Sequence, residues 1–395
     1  MMVENKKRVQ IFDIAKGISI ILMTISHYQF KDIYPALVSF QKIAMIIKMP
    51  LFIFISGYLF TDKLCYKMFF QSKVDSLIKP LLSFMISILL LNILLYTIST
   101  DHITIIGIFD QIKTFLRVFK FGDFMMIGAF WFIAALFFGQ MVFKGALANL
   151  NLNTPTNYYF YILLSILLVF LSNVKINFYN IQHTPIFFTY LLLGFTFKKF
   201  SSQFLNGNAF FFNSKMIMFP IFFIISCCIL IYFQLDIHFD MYFLIFNYHY
   251  LLLLSILGIF TVLYLSKYIE KIPFLSLVLT YCSKASFFIL AYHIFIRDVY
   301  GTMFDLEAYN PILHTFLFAL NIVMCCLIYK YMLKLKFARL FFFPIKAIKL
   351  TDAEIQFLQT KIISKIIPYD DLMLSLPIAN SSHLSNNVRQ AIVGL

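Results

Sequence analysis

The sequence predicts an all-α protein built as a polytopic membrane helix bundle, and three observations carry that expectation. The chain of 395 residues is 61% hydrophobic and only 13% charged, about half the charge density of a water-soluble domain. Its mean hydropathy is +0.86. Its apolar residues fall into about ten runs near the length of about 20 residues that a helix needs to cross a bilayer. Only a helix or a closed barrel satisfies its own backbone groups in hydrocarbon, so runs of this length read as helices.

In chain order the expected spans are 11–30, 43–61, 79–98, 127–147, 158–174, 184–199, 216–234, 248–266, 277–297 and 312–333. The first begins after a basic Lys6-Lys7-Arg8 cluster, which superficially resembles a secretory signal. Asp13 and Lys16 interrupt its apolar run and no small-residue cleavage site follows, so it is expected as a retained helix. With the N-terminus cytoplasmic, Lys63, Lys67, Lys73, Lys79, Lys198, Lys199, Lys215, Lys267 and Lys271 all fall in cytoplasmic loops, as the positive-inside rule asks. Both termini are then cytoplasmic. Topology therefore accounts for the formal charge of +14 better than nucleic acid does, because the cations are dispersed between apolar runs.

The expected organisation is one transmembrane domain over residues 1–339 and a cytoplasmic tail over 340–395. Within the tail, Thr351-Asp352-Ala353-Glu354 has the form of a capping box, and Ile355, Leu358, Ile362 and Ile366 follow at helical spacing before Pro368. That pattern predicts an amphipathic helix on the membrane surface. The six cysteines lie mostly in apolar runs without metal-ligand spacing, so they are expected as free thiols and no metal site is expected.

The informative residues are those an apolar background should exclude. The first span holds Asp13, Lys16, Thr24 and His27, and such groups are costly in lipid unless they face the bundle interior. At roughly 100° per residue, Lys16 and His27 fall about 20° apart around the axis and Asp13 about 40° from His27. The three are expected on one inward stripe. Their spacing places Lys16 and His27 about 16 Å apart along the axis, so one small group cannot touch both while a long molecule can. Mutual neutralisation of Asp13 and Lys16, with His27 at the headgroups, is the structural alternative.

The stretch Ile11-Phe12-Asp13-Ile14-Ala15-Lys16-Gly17-Ile18, ending at His27, resembles the opening of the membrane acyltransferase-3 superfamily: a basic residue, ten positions, then histidine. Lys16 stands where many members carry arginine, a lysine variant associated with the branch resembling fucose O-acetylases and polysaccharide-modifying acetyltransferases. Met49-Pro50-Leu51-Phe52, Ser56-Gly57-Tyr58-Leu59, the basic stretch Lys73 to Pro80, Phe130-Trp131-Phe132 and the Ser286 to His293 spacing follow in the family's order. The resemblance covers residues 8 to about 333. Each motif alone also has a packing or topology reading: Ser56-Gly57 as a close helix contact, Trp131 as an interfacial residue, Lys73 with Lys79 as an ordinary basic loop. Three positions depart from the pattern: Lys48 where histidine is frequent, Ser76 where a second arginine is frequent, and Leu81 where tyrosine is common.

The resemblance implies a multi-pass enzyme of the cell inner membrane, an O-acetyltransferase engaged in polysaccharide modification. Its donor substrate would be acetyl-CoA or another acyl-CoA, with no bound cofactor. Its acceptor would be a hydroxyl of a cell-envelope glycan such as O-antigen, capsule or exopolysaccharide. It implies His27 as the base, with Lys16 and Asp13 completing the catalytic set, Lys73 and Lys79 at the donor mouth, and Ser56, Trp131 and His293 along the acceptor channel. Membrane lipid, acyl-CoA and the glycan are the implied partners. Nucleic acid is not among them, and a homo-oligomer is compatible with the sequence. The competing reading is an exporter of a glycan or lipid-linked glycan that uses the same stripe as its path, although no inverted repeat is evident.

Overall fold

The structure, a computed structural model, describes residues 10–28, 34, 37–99, 129–147, 181–204, 214–234, 250–304 and 310–348, with short stretches within 108–117, 156–164 and 239–246. The expected amphipathic helix of the tail and most of the span at 158–174 lie outside the described residues. What is described is helical, apart from one antiparallel ribbon in which Phe239 faces Phe246 and Asp240 faces Ile245.

The first helix, α1, runs Gln10–Ile25, and α2 runs Leu37–Tyr58. Next come α3 (Tyr66–Lys73) and α4 (Lys79–Ser99), joined by one turn of π-helix at Val74–Ile78. The stretch Lys73 to Pro80, expected as a basic loop, is thus helical. Pro80 offers no N–H to the helical ladder, and the Lys79 N–H reaches back five residues to the Val74 carbonyl. A wider turn is one way a helix absorbs such a defect.

Further along lie α5 (Trp131–Leu147), α6 (Thr184–Phe204), α7 (Met218–Tyr232) and α8 (Tyr250–Ile269). The span expected at 277–297 is two helices, α9 (Pro273–Lys284) and α10 (Ser286–Met303), bent by 83°. The chain leaves helical geometry at the fully buried Ala285 (ψ 4°). Neither proline nor glycine marks that break, so hydropathy reads straight through it. The long helix α11 (Pro311–Lys334) begins with the Asn310 side chain accepting the Leu313 N–H, an N-cap. Two short helices, α12 (Lys336–Phe342) and α13 (Ile345–Ile348), end the described chain. They straddle the expected domain boundary at 339/340.

Among the described residues, four helices are long and apolar enough to span a bilayer: Val38–Tyr58, Tyr66–Ile98, Tyr250–Ile269 and Pro311–Lys334. The bent pair α9–α10 would be a fifth. The distribution of side chains is that of a membrane protein. Ile86, Leu90, Leu94 and Ile98 on α4, Ile221, Ile224 and Ile225 on α7, and Phe316, Val323 and Leu327 on α11 are exposed, while Ser19, Thr24, Ser255, His293 and Asn321 are buried. Large apolar faces turned outward are costly in water and not in lipid.

Helix α1 lies at the centre, packed against α2, α8, α9 and α10, while α2 also packs on α6 and α8. Two crossings are backbone to backbone. A Cβ on Gly17 would sit 2.1 Å from the Leu279 carbonyl oxygen of α9, and one on Gly57 would sit 2.2 Å from that of Leu191 on α6. The packing reading of Ser56-Gly57 is therefore realised at Gly57, where only a residue without a side chain permits the approach.

Candidate active site

The two histidines singled out in the sequence meet. His27 lies in the tight turn after α1, where its N–H bonds to the Thr24 carbonyl at 3.0 Å. His293 lies two turns into α10. Their rings are 5.1 Å apart between centroids and tilted by 58°. His27 is half-buried, whereas His293 is 1% exposed.

The His293 ring and the His27 backbone are held by identifiable bonds. His293 Nδ1 is 2.7 Å from the carbonyl oxygen of Ile289, one turn earlier in α10. A carbonyl can only accept, so Nδ1 carries the proton and Nε2 presents a lone pair. That Nε2 is buried and has no hydrogen-bond partner among the described residues. The backbone of His27 is held by Arg297, one turn beyond His293, whose Nη1 donates to the His27 carbonyl at 2.6 Å. Arg297 is itself fixed by Asp298, which accepts from Nε at 2.8 Å and from Nη2 at 2.6 Å. The last carbonyls of a helix lack partners within it, and a cationic side chain is one way to satisfy them.

Asn321 of α11 joins the two sides. Its Nδ2 donates to the Tyr28 hydroxyl, next to His27, and to the His293 carbonyl at 2.8 Å, while its Oδ1 accepts from the Cys325 thiol at 3.4 Å. From α2, Lys48 Nζ donates to Ser26 Oγ at 2.7 Å, and the Lys48 carbonyl accepts from Ser19 Oγ at 2.5 Å. The charges of Lys48 and Arg297 lie within electrostatic range of both imidazoles. Sequence reasoning did not place Lys48, Arg297 or Asn321 in the site. Arg297 and Asn321 carry the signal that exposed His27, a polar group in an apolar helix, and Lys48 had been noted only as a departure from the family pattern.

The other expected residues lie elsewhere. Lys16 is half-buried with its ammonium 5.0 Å from the centre of the Phe52 ring on α2, and Asp13 is buried nearly one turn below it. The expected single stripe is not what forms. Helix α1 stops at Ile25, so the constant angular step does not extend to His27, and Lys16 addresses α2 while His27 addresses α10. Ser56 donates its hydroxyl to the Phe52 carbonyl of its own helix at 3.0 Å. Trp131 is buried, with its ring 5.1 Å from that of the fully buried His183. Phe132 beside it meets Phe52 edge-on at 5.3 Å, so α5 borders the region of Lys16.

Lys73 and Lys79 diverge. Lys73 places its ammonium 5.3 Å from the Phe69 ring centre. Lys79 is paired with Asp75 at 2.6 Å, and the other Asp75 oxygen accepts the Ile345 N–H of α13 at 2.8 Å.

Residues 9–331 match the acyltransferase-3 family, described as an acyltransferase domain. The chain belongs to the acyltransferase-3 family. Comparison with curated proteins and with solved structures returns no match. Membership makes the chain an acyltransferase, and with the exposed apolar helices it makes a multi-pass membrane protein. Within that family setting, the facing imidazoles are the groups suited to moving a proton during acyl transfer.

Proposed function

We propose that this acyltransferase moves an acetyl or related acyl group from cytoplasmic acyl-CoA to a hydroxyl of a cell-envelope glycan in the inner membrane. The observation that carries the reading is the half-buried His27 imidazole, 5.1 Å from the buried imidazole of His293 on α10. A sugar hydroxyl is a weak nucleophile, and an imidazole that takes its proton as it attacks the thioester carbonyl makes it an effective one. The hydroxyl oxygen forms the new ester bond, the carbon–sulfur bond breaks, and the leaving thiolate receives the proton from His27.

From Lys16 to the end of α1 at Ile25 the helix rises about 14 Å, with His27 in the turn beyond it, a separation suited to a donor whose anionic nucleotide and reactive thioester are joined by a long arm. In this reading Lys16 steadies the donor, Asp13 sets the position of Lys16, and Lys73 attracts the nucleotide at the cytoplasmic mouth. Lys79 contributes only when it is released from Asp75. Trp131 and Ser56 shape the walls around Lys16 rather than the histidine pocket. The remaining topology is part of the same reading: ten spans, both termini cytoplasmic, and residues 340–395 as a tail.

The test is acyl transfer from acetyl-CoA in membranes carrying wild type, His27→Ala or Lys16→Ala, with the glycan ester read by mass spectrometry or NMR. Loss of a general base costs about 10²- to 10⁴-fold in rate. Full activity in both variants sinks the assignment.

A further inference from the structure

Resting on the acyl-transfer reading above, we infer that His293 is a positioning residue for His27: its lone-pair nitrogen, unpartnered in a ring 5.1 Å from that of His27, is the acceptor for the N–H of one His27 nitrogen and so leaves the other as the base. With Nδ1–H committed to the Ile289 carbonyl at 2.7 Å, Nε2 can only accept. A buried acceptor without a donor costs free energy. Here that atom belongs to a ring 5.1 Å from another imidazole.

His27 needs what such an acceptor provides. A neutral imidazole exists in two tautomers, and only one presents its lone pair to the incoming hydroxyl. The groups charged or titratable around the pair are Lys48, Arg297 with its Asp298, and Tyr28. Both cations are donors, so neither can accept an N–H from His27. The Ser26 hydroxyl already receives the Lys48 ammonium and donates to the Met23 carbonyl at 2.6 Å. Among these groups, His293 Nε2 is the buried acceptor left without a donor. The relation between the rings is set from outside by Asn321, which holds both the Tyr28 hydroxyl and the His293 carbonyl.

In the reaction the proton of the acceptor hydroxyl goes to the outward nitrogen of His27. His293 gains no proton; its hydrogen bond to the His27 N–H strengthens while His27 is positively charged, as a third group does behind a catalytic base. The thiolate of the departing coenzyme then takes the proton and His27 returns to the same tautomer.

The experiment uses the full chain in lipid nanodiscs with ¹⁵N-labelled histidine, resonances being assigned by comparison with His27→Gln and His293→Gln. Wild-type His293 is expected with Nδ1 protonated and Nε2 bare, and His27 as a single neutral tautomer. In His293→Phe, which removes the acceptor, His27 should become a mixture of tautomers, and kcat should fall at least about tenfold with KM for acyl-CoA unchanged. His293→Gln offers a carbonyl oxygen in place of Nε2 and should recover part of both. If His27 keeps one tautomer in His293→Phe, or if Gln and Phe lower kcat equally, the inference is overturned. Should His293→Phe fail to fold, the Gln variant against wild type decides: wild-type His293 with Nε2 protonated overturns it as well. Wild type without acyl transfer refutes the functional reading instead, and the tautomer measurement still decides the pairing.

Discussion

The two ends of α1 are held by different physics. Near Gly17 the helix is fixed largely by shape: its backbone touches that of α9 at Leu279, while Gln10 Nε2 to Ser276 Oγ at 2.6 Å and Ser19 Oγ to the Lys48 carbonyl at 2.5 Å add register. Beyond Ile25 it is fixed by hydrogen bonds from three other helices, through Lys48, Arg297 and Asn321. A steric crossing tolerates no added atom and gives no chemistry. A polar cross-link costs desolvation, and in return sets the orientation of groups that react. The difference teaches that the half of α1 around Gly17 is set by close packing, whereas the turn after Ile25 is set by side chains of other helices that orient its polar groups.

The harshest way to break that contrast is Gly17→Val. A Cβ at 2.1 Å from a backbone oxygen has nowhere to go, and overpacking of this kind costs about 1–3 kcal/mol or more. The expected result is a large loss of folded protein, read as the monodisperse fraction after extraction and as a lowered Tm. Gly145→Ala is the control, because its Cβ would meet only a Tyr66 ring atom at 3.8 Å. Equal yields for the two variants would show that the crossing is looser than drawn.

At the other end, Asn321→Leu keeps volume and removes the donor shared by Tyr28 and His293. Interhelical hydrogen bonds in membranes contribute about 1 kcal/mol, so Tm should drop modestly while kcat falls roughly tenfold, the histidine pair having lost its frame. An unchanged kcat with a lowered Tm would make Asn321 a mere strut.

Lys16 tests whether its half of the helix touches substrate at all. Lys16→Met should raise KM for acyl-CoA by about tenfold, equivalent to roughly 1.4 kcal/mol of binding, and Lys16→Arg by less than about threefold, since a guanidinium also sits well over the Phe52 ring. A kcat effect without a KM effect would move Lys16 out of the donor site.

What could be read in advance follows from where each signal resides. His27 and Lys16 stood out because charge and imidazole are rare in apolar helices, and that rule needs no partner. The apolar runs that became α4, α7 and α11 were legible from length and hydropathy, while which of their faces turn outward came from the structure. The pairing of His27 with His293 lies 266 positions apart in sequence, and only order of motifs hinted at it. Lys48, Arg297 and Asn321 were passed over because their roles depend on which helix they face. The break at Ala285 left no proline or glycine to find. The face-sharing of Lys16 and His27 failed because an angular step holds only while the helix continues, and α1 ends two residues before the histidine.

The smallest expected effect concerns the basic mouth, where Lys73 and Lys79 looked alike in sequence and differ in structure. Asp75→Asn removes the ion pair to Lys79 and retains a side-chain oxygen for the Ile345 N–H. Both side chains of that pair are about a quarter exposed, at 26% and 21%, so its loss should cost under about 1 kcal/mol. Two outcomes then separate two roles for Lys79. If Asp75 merely stores a cation that the donor uses, freeing it should lower KM for acyl-CoA about twofold, more at low ionic strength because the attraction is screened by salt. If the pair exists to pin α13 against the foot of α4, KM stays constant and only Tm moves. Asp75→Ala, which also removes the acceptor of Ile345, should then lower Tm further than Asp75→Asn while leaving KM where Asp75→Asn puts it.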